Sequence, residues 1–341
     1  MSAFACYRLP DSTSYTYVEQ TEGEPFELHD YGQLNGCRGF VMAPFAASAL
    51  HPVLLLRPDV VQQLPCSAAE AAGSVPYSMG EAGREAYASA FSAFHRQLRA
   101  GAFSKLVLSR SVEIRLAEAA DGRALFHKAC RLYPHLFIAL VSTARSGVWL
   151  MATPEILAES ADGTLWHTMA LAGTMKSSEA AGAEPAWSAK NRAEQQFVSS
   201  YIGRRLRTFG LHVSARGPYT TTAAGLCHLR TDFTFGLQPG VGVGDVVARL
   251  HPTPAVCGIP KEAARRFILT HEGLDRRYYS GFCGPIGLQG GTHLYVSLRC
   301  MELLNHRCVL HAGGGLLPES REESEWNETE AKLQTMKHVF E

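Results

Sequence analysis

The chain lacks an excess of charge of either sign, with 32 Lys plus Arg against 32 Asp plus Glu in 341 residues. No global field draws it to nucleic acid or to an anionic membrane, so any anion site must be built locally. Long apolar runs are also missing. The longest, near Phe40 to Leu50, is broken by Pro44 and falls short of the roughly 18 residues of a spanning helix. The opening MSAFACYRLPDS has no basic stretch followed by an apolar one, so it does not read as a secretory signal, and a cytoplasmic protein is expected. Nine cysteines (Cys6, Cys37, Cys66, Cys130, Cys227, Cys257, Cys283, Cys300 and Cys308) form no C-x-x-C pair and have no His at zinc spacing. That argues against a disulfide framework or a zinc cage and for reduced, buried thiols.

What is present is a series of short strands in groups, separated by helices. The first 60 or so residues alternate apolar runs with Gly and Pro, as in LNGCRGFVMAPF and HPVLLLRPDV, and predict strands with irregular connections. Residues 65–80, rich in Ala, Ser, Gly and Pro, predict an exposed connection. Tyr87, Phe91, Phe94 and Leu98 recur at helical spacing and predict a helix from Glu81 to Arg99. Further helices are expected from about Ser188 to Phe209, Lys261 to His271 and Glu322 to His338. KLVLSRSVEIRL, LFIALVS, GVWLMA and LWHTMALAG read as strands, and THLYVSLRCMELL with CVLHAGG as a hairpin pair. Without regular βα alternation, the order predicts an α+β fold. The length permits two domains and is equally compatible with one.

In the last helix Glu325, Glu328 and Lys332 stand at i, i+3 and i+7 and project from one face. The same spacing suits a solvated face with a Glu328–Lys332 ion pair worth about 0.3–0.5 kcal/mol. The HAGGG before it reads as a turn at Gly313, Gly314 and Gly315, where backbone N–H groups approach an anion. Paired carboxylates beside such donors suit Mg²⁺ and a carboxylate ligand. Glu194 falls on the apolar face of its helix with Val198 and Tyr201, as a buried ion pair or a metal ligand. Lys105 opens KLVLSR on one face with Val107 and Ser109, a base candidate, and Glu155 follows Pro154 at a strand-to-helix junction capped by Thr153, an acid candidate. Arg299 is placed on the strand face opposite Leu294, Val296 and Leu298, a bidentate partner for a carboxylate. His228 in LCHLRTDF suits a core position as well as a site.

In order, KLVLSR, TPEILAES, ALAGTMK, AKNRAEQQFV, CHLRTDF, HPTPAVCGIPKEAA, EGLDRRYYSGFCGPIG, LRCMEL and HAGGGLLPESREESEWNETEAK resemble the chorismate-utilising enzymes. The resemblance spans about residues 85–335, and residues 1–80 diverge. It implies one chorismate-binding domain over residues 1–341, of packed antiparallel sheets flanked by helices. It implies Mg²⁺ held by Glu194 and Glu328, with Glu325 nearby or acting through water. Tyr279 and Arg299 are expected on the enolpyruvyl carboxylate, and the amides of Gly313, Gly314 and Gly315 with Thr174 on the ring carboxylate. Lys332 and His228 would line the same pocket.

Three positions bear on the reaction. Lys105 resembles the water-activating lysine of isochorismate synthases, where anthranilate synthases carry glutamine. Ala172 stands where aminodeoxychorismate synthases carry a nucleophilic lysine, and Ala255 in HPTPAVCG resembles isochorismate synthases. The implied reaction is addition of water at ring carbon 2, with Lys105 as base and Glu155 protonating the departing carbon 4 hydroxyl. The alternatives are a salicylate synthase, an anthranilate synthase component I and an inactive binding subunit. No glutaminase subunit is expected, the chain would act as a monomer or homodimer, and the sequence leaves open whether the product feeds menaquinone, a siderophore or another aromatic pathway. Gln195, Asn191 and Cys257 depart from the histidine, acidic residue and serine common in relatives.

Overall fold

The computed structural model describes residues 3–67, 71, 73–80, 83–176 and 185–341. Its strands form two sheets, antiparallel throughout the described residues. The ten-stranded sheet runs β15 (Gly258–Ile259), β8 (Lys105–Leu116), β19 (Arg307–Leu316), β18 (Cys300–Leu304), β10 (Gly147–Thr153), β9 (Phe137–Thr143), β1 (Ala3–Arg8), β2 (Ser14–Gln20) and β6 (Val60–Pro65), with β7 (Tyr77–Met79) added to β8. The nine-stranded sheet runs β13 (Gly210–Ala223), β14 (Leu226–Leu237), β12 (Trp166–Lys176), β11 (Ile156–Ser160), β17 (Thr292–Val296), β16 (Phe282–Ile286), β4 (Gly39–Ala43), β5 (Val53–Leu56) and β3 (Phe26–Leu28). The α+β expectation holds.

The sheets face each other across an apolar layer that includes Tyr7, Phe40, Met42, Phe137, Trp149, Met151 and Tyr295. Phe137 of one sheet stacks on Tyr295 of the other, with centroids 4.3 Å apart. Outside the nine-stranded sheet lie α3 (Ala189–Leu206) and α4 (Val243–Leu250), which bury Val198, Ile202, Leu206, Val246 and Val247 against Phe233 and Phe235. Outside the ten-stranded sheet, α2 (Gly122–Leu132) and α6 (Glu322–Lys337) bury Leu125, Phe126, Leu333 and Met336. At the β8 end, α1 (Arg84–Arg99) and α5 (Lys261–His271) pack Tyr87, Phe91, Phe94, Leu98 and Ile268 around Leu106 and Leu108. Burying a large apolar side chain contributes roughly 1.5–3 kcal/mol, which explains why the 3.6-residue stripe of α1 was legible.

Several local expectations change. The 65–80 connection contains β7, because Tyr77 to Met79 pair with Leu116 to Ile114. Residues 68–70, 72, 81 and 82, within the expected connection and helix start, lie outside the described residues. THLYVSLRCMELL does not form one strand: β17 belongs to the nine-stranded sheet and β18 to the ten-stranded one. Arg299, at φ +46°, breaks the alternation between them, so it sits at the crossing and not on a strand face. The hairpin is β18 with β19. Glu155 lies at a strand-to-strand junction, between β10 and β11, and Thr153 caps no helix; its hydroxyl donates to Val296 O at 2.7 Å. Gly313, Gly314 and Gly315 form no turn but lie inside β19, opposite Ser109, Leu108 and Val107.

Candidate active site

Where β8 and β19 approach β12 and β14, a cleft opens between the two sheets. Its walls include Glu155, Thr174, Glu194, His228 and Ala255, and on the other side Tyr279, Arg299, Gly313, Gly315 and Lys332. Glu325 and Glu328 line an adjoining outward groove, which shares Thr174 with the cleft. Lys105 and Gly314 stand behind these walls. Every residue expected from the sequence is thus within or against one region.

The three glycines do different things. Val107 N donates to Cys257 O at 2.7 Å and Ser109 N to Glu272 Oε1 at 2.7 Å, so both amides point away from β19. In an antiparallel ladder their opposite numbers, Gly315 and Gly313, then also point away from β8, into the cleft. Gly314, opposite Leu108, is left facing the ladder, which removes its amide from the expected carboxylate-binding set. The missing side chains matter as well. A Cβ on Gly315 would lie 2.0 Å from Glu194 Oε1, and one on Gly313 2.8 Å from the Tyr279 hydroxyl. On the opposite face, a Cβ on Gly314 would lie 3.4 Å from Glu328 Oε1 and 3.5 Å from Glu325 Oε2.

Arg299 is held by a neutral imidazole. His228 Nδ1 donates to Gly173 O at 3.0 Å, which leaves Nε2 to accept from Arg299 Nη2 at 2.6 Å. Burial, then the charges of Arg299 and Lys332, push His228 down to about 3. Gly173 can present that carbonyl because it occupies a bulge of β12 at φ +74°. Burial pushes Glu155 up to about 7, against the charge of Lys105 and the Thr253 hydroxyl, which donates to its Oε1 at 3.4 Å. Burial also raises the Tyr279 hydroxyl to about 12, so it remains a donor, and its ring stacks on His311 at 5.3 Å.

The carboxylates each face an ammonium: Lys105 Nζ lies 3.1 Å from Glu194 Oε1, Lys190 Nζ 2.6 Å from Glu325 Oε1 and Lys332 Nζ 2.7 Å from Glu328 Oε1. Lys332 also donates to Gly313 O at 2.9 Å. Burial and the neighbouring Glu328 raise the Glu325 carboxyl; Glu328, although partly buried, is held low by Lys332 and Lys190. Hard oxygen donors suit Mg²⁺, and the buried Glu325 Oε2 has no hydrogen-bond partner, as a ligand awaiting a cation would. Among the described residues, however, no three His, Cys, Asp or Glu side chains are gathered closely enough to hold a metal as they stand. The donor chemistry fits, and each of the three carboxylates is ion-paired to a lysine.

Sequence reading missed four contributing residues. Lys190 stands one turn before Glu194, an i, i+4 pair visible in AKNRAE. Thr253 touches Glu155 across 98 residues, with no local signal. Glu272 and Arg276, also i, i+4, form a fully buried pair at 2.6 Å. Arg276 donates to Val256 O at 2.7 Å and Val107 O at 2.9 Å, and its own carbonyl accepts from Tyr279 N. One ion pair therefore fixes the Lys105 strand, the Ala255 loop and Tyr279 relative to one another. The departures are absorbed: the Asn191 amide donates to Thr174 O at 3.2 Å, Gln195 to Thr231 Oγ1 at 2.8 Å, and Cys257 is a buried thiol.

Residues 59–341 match the family model described as chorismate binding enzyme. The chain belongs to that family. The chain is 33% identical over 244 residues to isochorismate synthase EntC of Escherichia coli (strain K12), covering 69% of this chain and 62% of the relative. To isochorismate synthase DhbC of Bacillus subtilis (strain 168) it is 34% identical over 251 residues, covering 69% and 63%. The matches thus span less than two thirds of these relatives' own length. Its fold matches the structure of MenF, the menaquinone-specific isochorismate synthase from Escherichia coli, with a TM-score of 0.84 at 19% identity, covering 99% of this chain and 89% of that one. Among the described residues no helix is long and apolar enough to cross a membrane.

Proposed function

We propose that the enzyme is an isochorismate synthase, converting chorismate to isochorismate by adding water at ring carbon 2 with loss of the carbon 4 hydroxyl. The observation that carries this reading is Glu155. Its carboxyl is buried in the wall of the cleft and pushed up to about 7, so near neutrality it carries a proton to donate to a departing hydroxyl. Lys105 would take a proton from the incoming water as the neutral amine, so the ammonium that lies 3.1 Å from Glu194 Oε1 must first give up its own proton. The proton given up by Glu155 leaves with the carbon 4 oxygen as water while the ring double bonds shift, so water enters and water leaves. Arg299 and Tyr279 would clamp the enolpyruvyl carboxylate, and the amides of Gly313 and Gly315 with Thr174 the ring carboxylate. Glu194, Glu328 and Glu325 would hold Mg²⁺, which supplies charge that neutralises and orients the ring carboxylate. Ala172 offers no amine to form a covalent adduct, and Ala255 leaves the neighbouring wall small.

The test is incubation with chorismate and Mg²⁺, with and without ammonium, resolving isochorismate, salicylate, anthranilate and pyruvate. Isochorismate alone is expected. Salicylate with pyruvate would make the protein a salicylate synthase, anthranilate in ammonium would make it an anthranilate synthase component, and no turnover by folded protein would leave a binding subunit.

A further inference from the structure

Three carboxylates and three ammonium groups are matched one to one at the proposed cation site, but the lysines are not equivalent. Lys105 is completely buried on the inner side, and Lys332 is tied to the Gly313 carbonyl as well as to Glu328. Lys190 is different. It reaches from α3 across the outer groove, where it lines the opening with Asn191, Ser320, Glu325 and Glu328. Its side chain is 20% exposed, against 2% for the Glu325 carboxylate it holds at 2.6 Å.

Glu325 is consequently divided. Oε1 is turned outward to Lys190, whereas Oε2 is buried, unpartnered and close to Gly314, the same backbone position that Glu328 Oε1 approaches from the next turn of α6. A dication gathering these oxygens from the groove side meets the Lys190 ammonium first. It also meets carboxylates that are each already ion-paired to a lysine.

We propose that Lys190 is a built-in counter-cation that holds Glu325 in the metal-free protein, and that a divalent cation enters through the outer groove by displacing the Lys190 ammonium. The inference rests on the reading of Glu194, Glu325 and Glu328 as the cation site. Its consequence is that Lys190 lowers cation affinity when no substrate is bound. An ammonium within a few ångströms of a dication costs it on the order of tenfold in affinity even at the dielectric constant of water.

The experiment measures Mn²⁺ binding to substrate-free protein by titration calorimetry and by loss of the free-ion paramagnetic resonance signal. Lys190→Met, which keeps an unbranched stem, should bind Mn²⁺ about tenfold more tightly than wild type. Lys190→Arg, which keeps the charge, should stay within about twofold of wild type and controls for altered packing; circular dichroism checks that both variants fold. Equal or weaker binding by folded Lys190→Met overturns the inference, and if wild type still shows Mg²⁺-dependent turnover of chorismate, it alone falls. Should neither wild type nor Lys190→Met bind Mn²⁺, the inference and the cation site fall together.

Discussion

Glu155 and His228 share the cleft, and burial drives them in opposite directions, the carboxyl up to about 7 and the imidazole down to about 3. The cause is common, because a low dielectric penalises whichever form is charged. A general acid works only while protonated, so kcat should fall as pH rises through about 7, and a pH–rate profile checks this. Glu155→Gln should lower kcat by roughly 10²–10⁴ with little change in KM and should erase that limb. An unchanged rate constant would remove Glu155 from the acid role. Lys105→Gln should abolish water addition yet leave chorismate binding largely intact, measured by calorimetry; lost binding with retained turnover would refute the base assignment. The candidates were legible as residue types beside Pro154 and at the head of KLVLSR. Their burial was not, since Thr253 and Glu194 reach them from distant parts of the chain.

At the level of elements, β19 is a strand whose glycines exchange side-chain volume for access. Gly315→Ala places a Cβ 2.0 Å from Glu194 Oε1 and 2.8 Å from Lys105 Cε, and the position has no positive φ to strain. It should therefore fold, with turnover reduced by about 10² or more and Mn²⁺ binding weakened, because displacements near 1 Å cost that much at a reacting centre. Wild-type binding and turnover would show that Glu194 has room to move. The Glu272–Arg276 pair is the second element-scale device. Arg276→Met leaves a buried carboxylate unpaired and two carbonyls undonated, and should destabilise the fold by about 3–5 kcal/mol in denaturant unfolding. A loss below about 1 kcal/mol would mean that water or a neighbouring donor replaces the guanidinium.

Over the whole molecule, residues from the first 65 complete both sheets: β1, β2 and β6 extend one, and β3, β4 and β5 the other. The face of the nine-stranded sheet that carries Tyr295 and Met169 toward the other sheet also carries a charged network in which His167 bridges Glu159 at 2.9 Å and Asp232 at 2.8 Å, and His293 and the Tyr295 hydroxyl also reach Glu159. Although burial opposes both charges, Glu159 and Asp232 raise His167, and His167 with His293 lowers Glu159 to about 2. The raised histidine stabilises fully below its ordinary 6.5 and loses that contribution as pH rises through its folded value. The depressed carboxylate stabilises above its ordinary 4.5 and loses that contribution as pH falls toward about 2. The network should thus contribute most between 4.5 and 6.5. Measured from pH 3 to 9, Tm of His167→Gln should vary less than that of wild type; parallel curves would show that the network does not govern the pH response.

Periodicity within the chain was enough to determine the α+β class, the helix α1, the strand β8 and the inward placement of Glu194 on α3, because these depend on apolar spacing over a few turns. Motif order placed the site residues in one region. Tertiary structure alone decided the rest. That Arg299 breaks a strand, that HAGGG is a ladder and not a turn, and that only Gly313 and Gly315 of the three turn their amides to the cleft depend on partners more than a hundred residues away. So does the pairing of the carboxylates with lysines: Lys190 and Glu325 are separated by 135 residues of chain, and no local pattern encodes an ion pair made between two helices.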